Sequence, residues 1–414
     1  MYFQNGNLTM ADSNELASKL KLIKTSNAFC PEPFISTVTT GKTTQPCCLM
    51  KNWDFDNSEE KTLAIQKEML GNGGPLFDYH CLICKEQEKH PAPSHRQKNI
   101  EHWLTGKYKE YTGLLCDAID APKMHIITYR APNNFCNLRC HMCKPSNSSS
   151  LAAEDKAIGV ETAFSAIHSK SLIKLVDSTD YTEALCTIFE LRLVGGETLA
   201  IKKNYELMQQ AIDLGTAKDI ELDITTNATL TPKFDGKDIF DFIPHFKSCK
   251  MYISIELWGD KNSYIRFPSK WQTIYDNAIR FTNSPRTTVT FACCISSLNV
   301  GYFNEMAAGT HQMILDYPGK IYPFISDSLV VGKNLYKIQA VPLIIREQYL
   351  DKYYSNTRPN YVQTFGKLCS YLENIEYSEE LMWKMLADVK KRDKHRGTCL
   401  TSVFPEWKPY YDRV

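Results

Sequence analysis

Asn134-Phe-Cys136-Asn-Leu-Arg-Cys140-His-Met-Cys143 places three thiols within eight residues, shortly after the apolar run His125–Tyr129. That run reads as a strand, so the thiols fall on a loop at its C-terminal end. Three thiolates this close together can ligate one metal centre. A cubane of four irons takes four ligands, so three leave one iron open to a small molecule with adjacent amine and carboxylate groups. The alternative is a zinc knuckle made by the same thiols and His141, but adjacent ligands make a tetrahedral shell awkward there.

Strands alternate with helices on the C-terminal side of this loop. The further candidate strands are Glu190–Val194, Ile220–Thr226, Met251–Leu257, Thr288–Ile295 and Tyr336–Val341. Between them Leu207, Ala211 and Leu214 share one helical face, and Trp271, Ile274, Ala278 and Phe281 share another. Six such units fall short of the eight of a complete barrel, so the pattern predicts a partial (β/α)6 TIM-type barrel. Two strands alternate rather than running apolar throughout. Ile220, Leu222 and Ile224 are interleaved with Glu221, Asp223 and Thr225; Met251, Ile253 and Ile255 with Tyr252, Ser254 and Glu256. A parallel strand buried on both faces is normally continuous in apolar residues, so a polar ligand is expected inside.

The composition is that of a globular protein: 414 residues, 43% hydrophobic, 48 basic side chains against 47 acidic. That charge balance gives no support to a nucleic-acid coat. No apolar run reaches a membrane span, and no signal peptide opens the chain. Met1-Tyr2-Phe3-Gln4 reads as an expression scar, with Met10 as the native start. The 15 cysteines, an odd number without an export signal, read as reduced thiols or metal ligands of a cytoplasmic protein.

The Cys-x3-Cys-x2-Cys spacing of Cys136, Cys140 and Cys143 resembles the signature of the radical S-adenosylmethionine enzymes. The resemblance implies that these cysteines hold a catalytic [4Fe–4S] cluster, which cleaves S-adenosylmethionine to a 5′-deoxyadenosyl radical that takes hydrogen from the substrate. It continues in order along the chain. Gly195-Gly196-Glu197 matches the segment that meets the methionyl amine, and Thr226-Asn227 the one that meets ribose. Ser254 with Arg266 resembles a carboxylate clamp, Glu256 stands where relatives often carry Asp, and Met142 replaces an aromatic against adenine. Thr198 for the usual Pro and Ala228 for the usual Gly depart from the pattern without removing a ligand.

Cys30-Pro-Glu-Pro, Gly41 before Pro46-Cys47-Cys48, Cys81-Leu-Ile-Cys84-Lys-Glu-Gln-Glu88 and Ser94-His-Arg96-Gln97 resemble a Twitch or SPASM-type auxiliary module. That implies a second [4Fe–4S] cluster on Cys30, Cys47 or Cys48, Cys81 and Cys84; four such cysteines also build a structural zinc site. The region is turn-rich, with one helical run near Glu59–Met69, so a small loop-rich iron–sulfur domain with a thin core is expected to precede the barrel. The expected divisions are a tail at 1–29, the auxiliary domain at 30–110, the barrel at 120–345 and a helical appendage at 346–414 without readable chemistry. The scattered cysteines read as small buried hydrophobes, with one of Cys293 and Cys294 facing the barrel interior, and His125 as a satisfied core histidine. The resemblance implies a peptide or protein substrate, with a sugar or nucleoside as the alternative, and an electron donor such as a flavodoxin or ferredoxin. A non-enzymatic, zinc-stapled binding module is the rival from another class.

Overall fold

The computed structural model describes residues 10–40, 43–50, 58–89, 93–160, 177–331, 334–355 and 362–414. Met1–Gln4 and Gly41 lie outside the described residues. The chain divides into two compact units, residues 1–130 with 178–191, and residues 131–177 with 192–414. Six strands follow one another between helices: β3 (Ile126–Arg130), β4 (Glu190–Val194), β5 (Glu221–Thr226), β6 (Ser248–Ser254), β7 (Thr287–Ile295) and β8 (Ile321–Leu329). This is the βα alternation of a partial (β/α)6 barrel.

In the first unit β1 (Ser36–Thr40) pairs antiparallel with β2 (Thr43–Gln45) and parallel with β3, Ser36 opposite Ile126. The unit is more helical than its Gly- and Pro-rich sequence suggests. It carries α1 (Met10–Thr25), α2 (Ser58–Leu70), α3 (Pro75–His80), α4 (Leu82–Gln87), α5 (His95–Leu104) and α6 (Thr112–Asp120). α3 and α4 have only six residues each, too short to show a period, and Cys81 caps both. The core is not thin either: Phe29, Phe34, Ile65, Met69, Trp103 and Leu115 pack in one buried cluster. His125 is satisfied as expected, its Nδ1 lying 3.0 Å from the Thr187 carbonyl.

In the second unit β5, β6, β7 and β8 are joined by parallel pairings, Thr226 opposite Ile253 and Ser254 opposite Ala292. β7 alternates buried Val289, Phe291 and Cys293 with half-buried Thr290, Ala292 and Cys294. The longer helices are α7 (Ser149–Ala157), α8 (Lys202–Asp213), α9 (Asp260–Ile265), α10 (Trp271–Thr282), α11 (Phe303–Asp316), α12 (Leu343–Tyr354), α13 (Val362–Asn374) and α14 (Glu379–Arg396). The expected strand at Tyr336–Val341 is instead a 3-10 turn at Ile338–Ala340, buried but unpaired as a strand, and the sixth strand is β8. Pro323, Ser326, Asp327 and Ser328 disguise β8 in the sequence; a proline is tolerated in a strand at a sheet edge or bulge, and the β7–β8 register does slip near Ala292. Among the described residues no helix is long and apolar enough to cross a membrane.

Candidate active site

The cysteine loop lies wholly in the second unit. Cys136, Leu138 and Cys140 are buried together, with Met142 and Cys143 packed against them. Three serines at the start of α7 hold the loop's backbone. Ser148 donates to the Leu138 carbonyl at 2.6 Å while its oxygen caps the helix, and Ser150 donates to the Cys136 carbonyl at 2.7 Å. Ser149 Oγ accepts from the Cys136 N–H at 3.3 Å. From the far side, the Arg139 and His141 N–H groups donate to the Phe267 and Ile265 carbonyls. The short polar run Ser146–Ser150 is therefore the cradle of the loop.

Burial pushes the thiols up, Cys140 to about 12 and Cys143 to about 11, with Cys136 raised for the same first reason. Neutral thiols are thus the resting state of the protein alone, and capture of a metal must expel their protons. The donor set fits a thiolate-bound cluster. It does not fit a zinc knuckle completed by His141, because both ring nitrogens are occupied, Nε2 by Arg396 at 2.9 Å and Nδ1 by the Tyr336 hydroxyl at 2.9 Å.

Gly195 and Gly196 both have positive φ, 102° and 50°. A Cβ on Gly196 would stand 2.2 Å from the Phe135 carbonyl oxygen, which also accepts from the Glu197 N–H at 2.7 Å. The glycine is required because the β4 end lies backbone to backbone against the cysteine loop. Gly196→Ala is expected to cost about 2 kcal/mol or more, from strain and overlap together. Iron retained per chain after reconstitution, with urea unfolding, measures it: the loop should lose iron even where the fold survives.

Glu197 is fully buried. Its carboxylate accepts from the Thr226 hydroxyl at 2.5 Å, the Asn227 N–H at 2.8 Å and the Leu199 N–H at 3.1 Å. It joins the ends of β4 and β5, which leaves about one of its four acceptor positions for a ligand ammonium. Asn227 reaches the loop in turn, its Nδ2 donating to Asn137 Oδ1 at 3.0 Å and lying 4.0 Å from Cys136 Sγ. Ala228 follows at φ 54°, a region that favours the glycine the resemblance leads one to expect.

Arg266 brings the second group of residues together. Its Nη1 donates to Glu256 Oε1 at 2.8 Å, and its buried Nε is without a hydrogen-bond partner. Burial works to lower its pKa, but the negative charge of the nearby Cys140, Glu256 and Cys136, the cysteines once ionised, outweighs it. Burial pushes Glu256 up to about 7, against the Arg266 cation and the Cys294 N–H that donates to Oε2 at 3.0 Å. Ser254 ends β6 half-buried, so the strand stops before Glu256 rather than including it. Met142 is half-buried, its carbonyl held by Asn334 Nδ2 at 2.8 Å. A cationic fork with a free buried N–H, beside three thiols, suits a carboxylate ligand.

The long helix α14 contributes what the sequence left unread. Arg396 is fully buried at its side chain. It donates to both Glu154 oxygens (2.8 and 2.5 Å), to the Arg139 carbonyl at 2.7 Å and to His141. Arg392 pairs with Glu154, Asp155 and Asp388, and Asp388 accepts the Tyr336 hydroxyl at 2.5 Å. With that proton committed to Asp388, Tyr336 accepts from His141 Nδ1, which fixes the tautomer. Burial, then Arg396 and Arg392, hold His141 well below the ordinary histidine range, so it is a neutral wedge between Cys140 and Cys143. Arg396→Ala is expected to cost about 1.5–3 kcal/mol in urea unfolding, because it removes the charge-assisted hydrogen bonds to both Glu154 oxygens and leaves Arg392 as the main partner of that buried carboxylate. Arg396→Lys should recover only part, since an ammonium cannot span Glu154, His141 and the Arg139 carbonyl at once.

In the first unit Cys30, Cys47, Cys81 and Cys84 line one small cavity of about 20 Å³, together with His95 and Arg96. Cys47 is buried and Cys48 exposed, and their sulfurs lie with a His95 ring nitrogen all within 4.8 Å of one another. Burial raises the Cys30 and Cys84 thiols and pushes Cys81 up to about 12. Glu88, Ser94 and Arg96 form a clamp around this cavity. Glu88 accepts from Arg96 Nε at 2.9 Å and from the Ser94 hydroxyl at 2.7 Å, while Arg96 Nη1 donates to the Phe29 carbonyl next to Cys30 at 3.0 Å. Ser94 and Gln97 make a reciprocal capping box at the start of α5. Four thiols on one cavity fit a soft metal centre, either an iron–sulfur cluster or zinc. All 15 cysteines are free of disulfides.

No protein-family model matches the chain, and no curated protein does. Among solved structures it is similar to a hexahistidine-tagged anSMEcpe with bound AdoMet, at 13% identity over 58% of this chain and 61% of that one, TM-score 0.37. It is also similar to Streptococcus suis SuiB bound to S-adenosylmethionine, at 11% identity over 76% of this chain and 64% of that one, TM-score 0.33. A second structure of Streptococcus suis SuiB gives 11% identity over 74% and 63%, TM-score 0.34. The chain thus spans less than two thirds of the length of each.

Proposed function

We propose that this chain is a radical S-adenosylmethionine enzyme, with Cys136, Cys140 and Cys143 holding a [4Fe–4S] cluster. The observation that carries the reading is the buried three-thiol loop whose adjacent histidine is locked away from metal by Arg396 and Tyr336. When bound, the cluster supplies the electron that cleaves S-adenosylmethionine to methionine and a 5′-deoxyadenosyl radical, which takes hydrogen from the substrate.

The chain's own residues bind and orient. Arg266 meets the methionyl carboxylate, with Ser254 beside it, and Glu256 holds the guanidinium in place. Glu197 offers its remaining lone pair to the methionyl amine while fixing Thr226 and Asn227 toward ribose. Gly195 and Gly196 let the β4 end close on the loop, and Met142 packs against adenine. The cavity of the first unit would hold a second [4Fe–4S] cluster on Cys30, Cys47, Cys81 and Cys84, which would supply one-electron chemistry toward the substrate. Cys47 is preferred over Cys48 because it lines the cavity. The substrate class is a peptide or protein, modified by epimerisation, oxidation or crosslinking, and the enzyme works in the cytoplasm with a flavodoxin or ferredoxin as donor.

The Cys47, Cys48 and His95 trio favours a second reading for the first unit alone, a single zinc ion. The test of the enzyme reading is incubation of the anaerobically reconstituted chain with dithionite and S-adenosylmethionine. Equal amounts of 5′-deoxyadenosine and methionine are expected. A chain loaded with iron and sulfide that forms neither would overturn it.

A further inference from the structure

Burial alternates along the strands of the second unit. On β7, Val289, Phe291 and Cys293 are buried while Thr290, Ala292 and Cys294 are half-buried; on β6, Met251 and Ile253 are buried while Tyr252 and Ser254 are half-buried. The buried set faces the helices, Phe324 of β8 meeting Phe303 of α11. The half-buried set leads to the candidate active site. Glu256, two residues beyond Ser254, accepts the Cys294 N–H, and burial and then Glu256 push the Cys294 thiol up to about 12. Parallel pairing sets this face in rows. Tyr252 stands opposite Thr225 and Thr290, and Thr290 opposite Tyr322. One row nearer the site, Ala292 stands between Ser254 and Ile325. Paired residues present their side chains to the same face of a sheet. The interior of a complete barrel is filled by branched side chains, but here Tyr322 is 49% and Ile325 41% exposed. Ala292 is the smallest side chain of its row, so the floor dips between Ser254 and Ile325.

We infer that this face of β5–β8 binds an extended peptide, and that Ala292, Ile325 and Tyr322 select a large apolar or aromatic side chain of that peptide. The inference rests on the radical-enzyme reading above and adds the kind of residue the site accepts. Rows on one face are two residues apart, so a side chain seated over Ala292 lies about 7 Å from the level of Cys294 and Glu256. The two rows carry only hydroxyls and apolar groups. Asp223 and Lys250 stand opposite one another a further row away, so a charged side chain over Ala292 would lose its hydration unpaired. Exposure is greatest at β8, which among the described residues pairs only with β7. The face is thus open on that side, as a long chain requires. The hydroxyls of Thr225, Tyr252 and Thr290 can donate or accept, which suits successive peptide N–H and C=O groups. A sugar ring is held best by charge-assisted bonds to carboxylates, and these two rows have none.

The test is photocrosslinking of an acetylated pentapeptide amide, p-benzoylphenylalanine flanked by two glycines on each side, to the reconstituted full chain with S-adenosylmethionine and no reductant. Mass spectrometry is expected to place the adduct on fragments carrying Thr287–Ile295 or Ile321–Leu329. The same peptide with phenylalanine at its centre should compete about tenfold or more better than its serine or lysine counterpart. Ala292→Leu, which fills the floor, should weaken that competition about tenfold, and Tyr322→Ala should weaken it as well. Iron content and circular dichroism should not change in either variant. No adduct, adducts confined to other segments, equal competition by the three peptides, or competition unchanged in both variants would overturn the surface. Competition by glucose or uridine where the phenylalanine peptide gives none, lost in Ala292→Leu, would overturn the peptide occupant. The enzyme reading fails separately: an iron-loaded chain that forms no 5′-deoxyadenosine with dithionite sinks it before any peptide is added.

Discussion

With Cys136, Cys140 and Cys143 replaced together by alanine, the reconstituted chain is expected to fall from about eight irons to about four, and sulfide with it. Formation of 5′-deoxyadenosine should fall to background. The four that remain report the cavity lined by Cys30, Cys47, Cys81 and Cys84. The effect should be specific to the loop, because serine contacts and Arg396 of α14 hold its backbone without using a thiol. Cluster assembly should also depend on pH. The loop thiols are raised by burial, Cys140 to about 12 and Cys143 to about 11. Metal capture at neutral pH therefore releases their protons, and affinity should rise with pH toward those values. Iron retained against a fixed chelator across a pH series measures the slope. A flat profile would show that the thiols are not the ligands.

The second large effect is expected in the first unit. Replacing Cys30, Cys81 and Cys84 with alanine should remove the other four irons, or one zinc if that centre is mononuclear. In small domains stapled by metal the binding free energy, on the order of 10 kcal/mol, is folding free energy, and apo chains unfold. Here Phe29, Phe34, Trp103 and Leu115 already form a buried core around α2, α5 and α6. The cost should accordingly be a few kcal/mol, read in urea unfolding, with helical circular dichroism retained. Collapse of the helical signal would return the domain to metal-dependent folding. Cys47→Ala should lose the metal and Cys48→Ala should keep it, because Cys47 is buried on the cavity and Cys48 is exposed.

Much of the architecture was legible because periodicity carries it. Five of the six βα strands stand close to where apolar alternation puts them, although β6 starts and ends three residues earlier than expected. β8 is hidden by Pro323 and a polar Ser-Asp-Ser run, while Tyr336–Val341 alternates like a strand although its apolar residues serve a buried 3-10 turn. The candidate site was legible as residue types in order, not as contacts. The glycines after β4 were visible, but not that the Phe135 carbonyl is what Gly196 must clear. Glu197 reads as a ligand group, yet most of its lone pairs serve Thr226, Leu199 and Asn227. The least legible part was α14. Asp388, Arg392 and Arg396 at helical spacing look like a solvated charged face, and only the fold turns them inward, the arginines onto Glu154 and His141 and Asp388 onto Tyr336. Sequence spacing shows which residues share a face, but not what that face meets.

The measurement that tests the central claim most directly is electron paramagnetic resonance of the dithionite-reduced, reconstituted chain, with and without S-adenosylmethionine. A reduced [4Fe–4S] signal that shifts when S-adenosylmethionine is added, and that is missing from the chain lacking Cys136, Cys140 and Cys143, is the expected result. It would show the small molecule chelating the open iron of the loop's cluster. The absence of any component that changes on addition, or a component that still responds to S-adenosylmethionine without those three cysteines, would contradict the assignment.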